Sequence, residues 1–241
     1  MKPRLALLLA ALMIGTACVA SPASAQVPAP GADAMTDPTM KRADVIAFIG
    51  VKPGDKVADI VAGRFVRALS VAVGPNGKLL AVMPAEVVKA HPEVVGMLKA
   101  GENAPGSNLV VSTPPVNAMG LAPASLDAVF IRQNYHDLYD TFMGPADVPA
   151  FNRQVFAALK PGGVYVILDH AAAPGAPMTV TETLHRIDPA RVKADVLAAG
   201  FKLDGESQAV ANPADDHTKM VFDPAIRGKT DQFLLRFRKP K

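Results

Sequence analysis

The chain has 241 residues, half of them hydrophobic, and its 25 basic residues against 22 acidic ones give a net charge of +3. A chain of this length can bury the core of one α/β domain. Its nearly balanced charge excludes the strongly basic surface of a nucleic-acid-binding domain. Its single cysteine excludes a disulfide framework and a cysteine-rich metal site.

The first 25 residues have the pattern of a secretory signal peptide. Two basic residues precede an unbroken apolar run over residues 5–14, and small residues at 23–25 form a cleavage site. The run is too short for a transmembrane helix of about 20 residues. We therefore expect cleavage after Ala25 and export to the periplasm. Cys18 also follows small residues, so a lipid anchor at Cys18 is the alternative to cleavage after Ala25. No other attachment to a membrane is expected.

The rest of the chain is predicted to be a tether followed by one α/β domain. Residues 26–40 are rich in Pro, Ala and Gly, which predicts a flexible tether, and residues 41–241 are assigned to the domain. The first strand and the glycine-bearing turn after it are predicted at residues 57–63. Further strands are predicted at residues 78–83, 108–112, 126–132, 164–168, 201–206 and 232–237. Helices are predicted at residues 44–49, 64–73, 85–100 with a kink at Pro92, 147–160 and 189–200. This alternation, closed by a strand pair, predicts a doubly wound, seven-stranded and mostly parallel sheet.

One edge of this sheet is the expected ligand site. Residues 57–83 form a βαβ unit, and in open α/β sheets the helix after the first strand begins beside a ligand crevice. Residues 133–137 follow the fourth strand, and Asp169 and His170 follow the fifth. His185 and Arg186 precede the next helix, so their segment is also placed at the carboxyl edge of the sheet.

Six short motifs carry a resemblance to a known family. They read Val-Ala-Asp-Ile with Ala-Gly (57–63), Val-Gly-Pro-Asn-Gly-Lys (73–78), Asn-Tyr-His-Asp-Leu (134–138), Leu-Lys-Pro-Gly-Gly (159–163), Leu-His-Arg-Ile-Asp-Pro (184–189) and Ile-Arg-Gly-Lys-Thr-Asp (226–231). With them the chain resembles class I S-adenosylmethionine-dependent methyltransferases, and more narrowly an exported bacterial group of predicted methyltransferases. The resemblance implies a Rossmann-like fold, S-adenosylmethionine as cofactor and a small-molecule substrate.

The resemblance also implies where the cofactor would bind. The implied cofactor-binding residues are Asp59, Val61, Gly63, Met83, Pro84, Gln133 and Asn134. Compared with the family, the loop after the first strand is about two residues shorter, and Val61 stands at a glycine position. We expect Gly63 to adopt a positive φ. The second strand ends in Met83-Pro84 instead of an acid for the ribose hydroxyls, and Glu86 replaces that acid only if its loop curls back.

The candidate catalytic residues are Tyr135, His136, Asp137 and His170. An imidazole titrates near neutral pH, so His136 or His170 is a candidate general base, with Asp137 orienting it. The same run could instead cap the following helix. No metal site is predicted. His136, Asp137, Asp169 and His170 have suitable ligand atoms, but adjacent residues point in different directions.

Two functions stay open at this point. The first is methyl transfer to a small molecule. The second is a non-catalytic, methyltransferase-like binding protein, which the shortened loop and the export of the chain favour. An NAD-dependent oxidoreductase is weaker because it needs the same glycines and acid. The chain also lacks a Tyr-x-x-x-Lys pair at Tyr135, since residue 139 is a tyrosine.

Overall fold

The structure is a computed structural model that describes residues 32–144 and 146–241. The predicted signal peptide, Cys18 and residues 26–31 of the predicted tether lie outside the described residues. No helix within the described part of the chain is long and apolar enough to cross a membrane.

Within the described residues, seven strands form one sheet. They are β1 Lys56–Ile60, β2 Lys78–Val82, β3 Leu109–Ser112, β4 Leu126–Arg132, β5 Leu159–His170, β6 Lys202–Ser207 and β7 Gln232–Arg238. Their order is β3-β2-β1-β4-β5-β7-β6. The strands β1 to β5 pair in parallel, and β7 is antiparallel to both of its neighbours. The predicted doubly wound, mostly parallel sheet is confirmed.

Seven α-helices of the described residues connect these strands. They are α1 Arg42–Ile49, α2 Val66–Val73, α3 Ala85–Ala90, α4 Pro92–Glu102, α5 Val148–Ala158, α6 Val180–Leu184 and α7 Pro189–Ala198. Short 3-10 helices lie at Pro38–Met40, His136–Tyr139 and Thr141–Met143. Asp147 and Asp188 begin α5 and α7 as predicted, because each carboxylate accepts a backbone N–H of the first turn at 2.8 Å.

The predicted helix over residues 85–100 is two helices that meet at His91. Pro92 does not kink one helix but begins the next, where its missing N–H costs nothing.

The Pro-Gly-Gly segment at 161–163 was expected to end a helix before the fifth strand begins at residue 164. Instead β5 runs through it, because Gly162 and Gly163 exchange backbone hydrogen bonds of 2.9 Å with Lys239. The carboxyl end of β7 thus extends the sheet past the predicted turn.

The second half of the predicted tether is packed against the domain, which corrects that prediction. The side chains of Ala34 and Met40 are buried. The Ala34 N–H donates to the carbonyl of Arg64 at 2.9 Å, and Asp33 pairs with Arg67 at 2.9 Å. These contacts hold residues 33–40 beside the start of α2.

The core lies around the central strands, which are buried on both faces as parallel strands are. The turn from α2 to β2 depends on one glycine. A Cβ on Gly77 would lie 2.5 Å from the Val73 carbonyl oxygen and 2.7 Å from that of Asp55. This close approach sets the start of β2 beside β1, so that the two strands end together at the carboxyl edge of the sheet.

Candidate functional site

A cavity of about 560 Å³ opens at the carboxyl ends of the central strands. This volume falls in the range of about 300–1,000 Å³ that small-molecule sites occupy. Its walls come from the β1–α2 turn, from helices α3 and α4 and from the segments after β4 and β5, and include Asp59, Val61, Gly63, Met83, Val87, Leu98, Gln133, Asn134, His136, Asp137, His170 and His185. The expected edge of the sheet is therefore the edge that carries the cavity.

The β1–α2 turn is strained at Val61 and not at Gly63. Val61 has a left-handed φ of 52°, which a β-branched residue rarely adopts. Its backbone N–H donates to the Val82 carbonyl at 2.8 Å, and the Ala62 N–H points to the same oxygen at 3.4 Å. Gly63 has no positive φ, and a Cβ there would meet only the Val61 carbonyl oxygen at 3.8 Å. The expected positive φ at Gly63 is wrong because the short turn reverses two residues earlier.

The end of β2 offers no acid to the cavity. Met83 lines the wall as predicted, but Pro84, which caps α3, does not. Glu86 accepts the backbone N–H of Val116 at 3.0 and 3.2 Å and does not line the cavity. The predicted contact of Pro84 with a ligand is therefore wrong, and Glu86 is not the missing acid.

Asp59, the residue before the last one of β1, places a buried carboxyl group at the cavity. Burial raises its pKa to about 7, although the Gly63 N–H and the guanidinium of Arg132 oppose that shift. The Gly63 N–H reaches Asp59 only at 3.4 Å. Asp59 thus keeps acceptor capacity toward a ligand.

Two of the predicted polar residues after β4 also line the cavity. Gln133 has a φ of 57° and donates to the Gln232 side chain at 2.9 Å. Asn134 donates to the Asp137 carboxylate at 2.6 Å. Both amides are therefore held in place by neighbouring side chains.

Tyr135 lies outside the cavity, which corrects its predicted catalytic role. Its side chain is fully buried, and its hydroxyl accepts a hydrogen bond of 2.8 Å from Asn152 of α5. The chain turns into a 3-10 helix at His136, so neighbouring side chains point in different directions.

His136 is held between two carboxylates. Its Nδ1 lies 2.8 Å from Asp169, its backbone N–H donates to the same carboxylate at 2.9 Å, and its Nε2 lies 3.1 Å from Asp137. Burial alone would lower the pKa of His136, but Asp169 and Asp137 outweigh it and raise that pKa well above its usual value. The two carboxylates therefore favour the protonated form of this imidazole.

The pKa values of His170 and His185 shift in the opposite direction. The Nδ1 of His170 lies 2.8 Å from the hydroxyl of Thr230. Burial, followed by the charge of His136, lowers the pKa of His170 well below its usual value. The same two causes lower the pKa of His185, whose ring packs against His136 at 5.5 Å and Phe222 at 5.1 Å between centroids.

The four residues weighed as metal ligands do not converge, because Asp169 faces Nδ1 of His136 and His170 pairs with Thr230. A different set does. His136, Asp137, Asp140 and His185 each place one ligand atom within 4.8 Å of the others. Sequence reasoning missed Asp140 because no local pattern marks it.

Arg186, whose segment was placed at the carboxyl edge of the sheet, has a structural role. Its fully buried guanidinium pairs with Asp215 at 2.9 Å and donates to the carbonyls of Lys219 and Ala171. It therefore anchors the long polar segment between β6 and β7 rather than lining the cavity.

A second cavity of about 390 Å³ adjoins the first and shares Arg132, Gln133 and His170 with it. Its lining includes five cationic side chains and one acid, namely Lys41, Arg64, Arg132, Arg227, Lys229 and Asp37. Burial, with the charge of Arg64, lowers the pKa of Arg132 to about 10, and its guanidinium lies over the Phe65 ring. The excess of positive charge favours anionic groups in this second cavity.

Comparison with known proteins finds likeness in structure alone. No family model matches the chain, and no curated protein matches it. A SAM-dependent methyltransferase from Aquifex aeolicus is 20% identical, with a TM-score of 0.57, over 84% of this chain and 93% of that one. Phosphoethanolamine N-methyltransferase 2 of Haemonchus contortus, in complex with S-adenosyl-L-methionine, is 14% identical, with a TM-score of 0.59, over 84% of this chain and 53% of that one.

A third similar structure is the [4+2]-cyclase SpnF. It is 16% identical, with a TM-score of 0.56, and the match covers 84% of this chain and 80% of that chain. The chain therefore has the class I methyltransferase fold. This third protein is named a cyclase and not a methyltransferase, so the fold alone does not define the reaction.

Proposed function

We propose that the chain binds S-adenosylmethionine in the 560 Å³ cavity and transfers its methyl group to a small molecule. One observation carries the proposal. The fold is that of class I methyltransferases, and a single cavity begins at the Asp59–Gly63 turn, where such folds bind ligands. The cavity extends to His136, which follows β4, and to His170, the last residue of β5.

The residues of the cavity fit an adenosyl ligand. Met83, Val87 and Leu98 supply an apolar wall beside the turn. Asp59 is a buried acceptor with one long hydrogen bond, suited to a ligand ammonium group. When bound, the cofactor supplies an electrophilic methyl group on a sulfonium.

His170 is the proposed general base of the reaction. Thr230 holds its Nδ1, and within the described residues its Nε2 has no hydrogen-bond partner. By contrast, both ring nitrogens of His136 face carboxylates. His136 and Asp137 thus position neighbouring groups, while His170 accepts the proton of the substrate hydroxyl or amine.

Isothermal titration with S-adenosylhomocysteine tests the site. We expect a dissociation constant between about 1 μM and 1 mM, the range of many enzyme–substrate pairs. Gly63→Phe should abolish binding, because Gly63 lines the cavity and has room for a Cβ. Gly96→Phe is the matched control, since a Cβ at Gly96 meets nothing within 4 Å and Gly96 does not line the cavity.

Two results would contradict the proposal. The first is no detectable heat from the wild-type chain at millimolar ligand. The second is equal binding by Gly63→Phe and Gly96→Phe, which would place the ligand elsewhere.

A non-catalytic binding protein is the second candidate function. Two observations favour it: Val61 stands strained at a glycine position, and β2 ends without an acid because Glu86 is tied to Val116. Insertion of Gly-Thr after Gly63 lengthens the turn. If S-adenosylhomocysteine binds only to that variant, the natural loop excludes the cofactor. This result would favour the non-catalytic binding protein over the methyltransferase.

Export to the periplasm is a further part of the proposed function, supported by the charge and hydropathy pattern of residues 1–25. Mass spectrometry of the chain from a periplasmic fraction should give a mature form that begins at Gln26. A lipid-modified form that begins at Cys18, and that Cys18→Ser releases from membranes, would establish the alternative anchor.

A further inference from the structure

Four buried side chains gather at one end of the cavity, where the 3-10 helix His136–Tyr139 meets the end of α6. His136 and Asp137 begin that 3-10 helix, Asp140 follows it, and His185 follows α6. Each is at most 7% exposed, and one ligand atom from each lies within 4.8 Å of the others. Two imidazole nitrogens and two carboxylate oxygens thus lie close enough together to share one ion.

Two oxygen atoms of this cluster have no hydrogen-bond donor among residues 32–144 and 146–241. They are Oδ1 of Asp137 and Oδ1 of Asp140, both fully buried. His136 Nε2 lies 3.1 Å from the Asp137 oxygen, but not in the direction of a hydrogen bond. Buried polar atoms of native proteins are almost always hydrogen-bonded, so two buried carboxylate oxygens without a donor call for a further partner. A cation between the four side chains would satisfy both oxygens.

The surrounding groups hold these side chains as the outer partners of metal ligands do. Asp169 faces Nδ1 of His136 at 2.8 Å, so Nε2 is the nitrogen that faces the cluster. Asn134 donates to the second oxygen of Asp137 at 2.6 Å, which leaves its Oδ1 for the cluster. In metal sites, the histidine nitrogen that does not bind the metal regularly pairs with a carboxylate, and a carboxylate ligand is regularly held by a hydrogen bond.

We propose that His136, Asp137, Asp140 and His185 bind a divalent transition-metal ion of the Zn²⁺ class. Imidazole ligands favour such ions over Mg²⁺ and Ca²⁺, which prefer all-oxygen sites. The Asp137 oxygen lies 3.1 Å from Nε2 of His136 and 3.9 Å from Nδ1 of His185. Ligands at about 2.0–2.2 Å from one Zn²⁺ ion are separated by similar distances, so only small movements are needed to close the site.

The test measures metal binding to the untagged full chain after chelation and removal of the chelator. Zn²⁺ titrated by calorimetry should bind with a stoichiometry of one, and the ion should raise the melting temperature. Asp140→Asn and His185→Gln should each weaken binding at least about 10-fold. His91→Gln and Asp216→Asn, which change the same residue types outside the cluster, should bind like the wild type.

This experiment does not depend on the proposed methyl transfer, because it uses the metal alone. The absence of Zn²⁺ binding at 100 times the protein concentration would overturn the inference. So would unchanged binding in Asp140→Asn and His185→Gln while both variants melt cooperatively. Should a variant fail to fold, Asn134→Ala, which releases only the outer partner of Asp137, should still weaken Zn²⁺ binding.

Discussion

Replacement of Val61 tests the claim that the β1–α2 turn is strained. The left-handed φ of 52° costs an L-residue about 1–2 kcal/mol, and only glycine escapes this cost. At an ordinary position alanine is more stable than glycine by about 0.5–1 kcal/mol. At residue 61 the order should be reversed, so that Val61→Gly is more stable than Val61→Ala by about 1 kcal/mol.

Relative to the wild type, the effect of Val61→Gly should be small. The variant gains the strain energy, but it loses about 1 kcal/mol from a half-buried valine side chain and about 0.5–1 kcal/mol of backbone entropy. These contributions nearly cancel, whereas Val61→Ala loses burial and keeps most of the strain.

Scanning calorimetry of both variants measures this difference as about 2–4 °C in melting temperature for a domain of this size. Gly63→Ala is the matched control at a position without positive φ, where alanine should be tolerated or slightly stabilising. If Val61→Ala proves as stable as Val61→Gly, the turn carries no strain and the reasoning is refuted.

Three further predictions concern buried groups. Burial raises the pKa of Asp59 to about 7 from 3.8, so stability falls as the pH rises from about 4 to about 7. Asp59→Asn should therefore stabilise the fold at pH 8, by up to about 4 kcal/mol in the free energy of unfolding, and should not stabilise it at pH 4. Melting temperatures measured at the two pH values check this, and an equal gain at pH 4 and pH 8 would contradict the prediction. Gly77→Ala should destabilise by about 1–3 kcal/mol in urea unfolding, since its Cβ would lie 2.5 Å from a backbone carbonyl oxygen, whereas Gly96→Ala should lose nothing. Arg186→Met should cost about 3–5 kcal/mol, because it leaves the buried carboxylate of Asp215 without its counter-ion. A loss below 1 kcal/mol would show that this ion pair is not needed.

Much of the fold could be predicted because its signals are local. The bounds of β4 are those expected from its apolar run, and Asp147 and Asp188 cap the helices that their spacing predicts. The extension of β5 through residues 161–163 could not be predicted, because it depends on pairing with Lys239, far away in the chain.

The candidate site was only partly predictable. His136, Asp137 and His170 line the cavity as expected, because parallel strands end at one edge of the sheet. The direction of a side chain beyond the strand end follows from the turn that comes next. The sequence therefore did not show that Tyr135 points away from the cavity, or that Asp140 and His185 meet.

The place of β7 in the sheet has a consequence for how the protein matures. This strand lies between β5 and β6 and contributes four buried apolar side chains, yet it is the last strand along the chain. Neither neighbour can reach its final partner until residues 232–238 have emerged from the ribosome. Completion of the core is thus delayed past synthesis of the preceding strands. Such a delay would suit the export proposed above, if the chain crosses the membrane as an unfolded polypeptide.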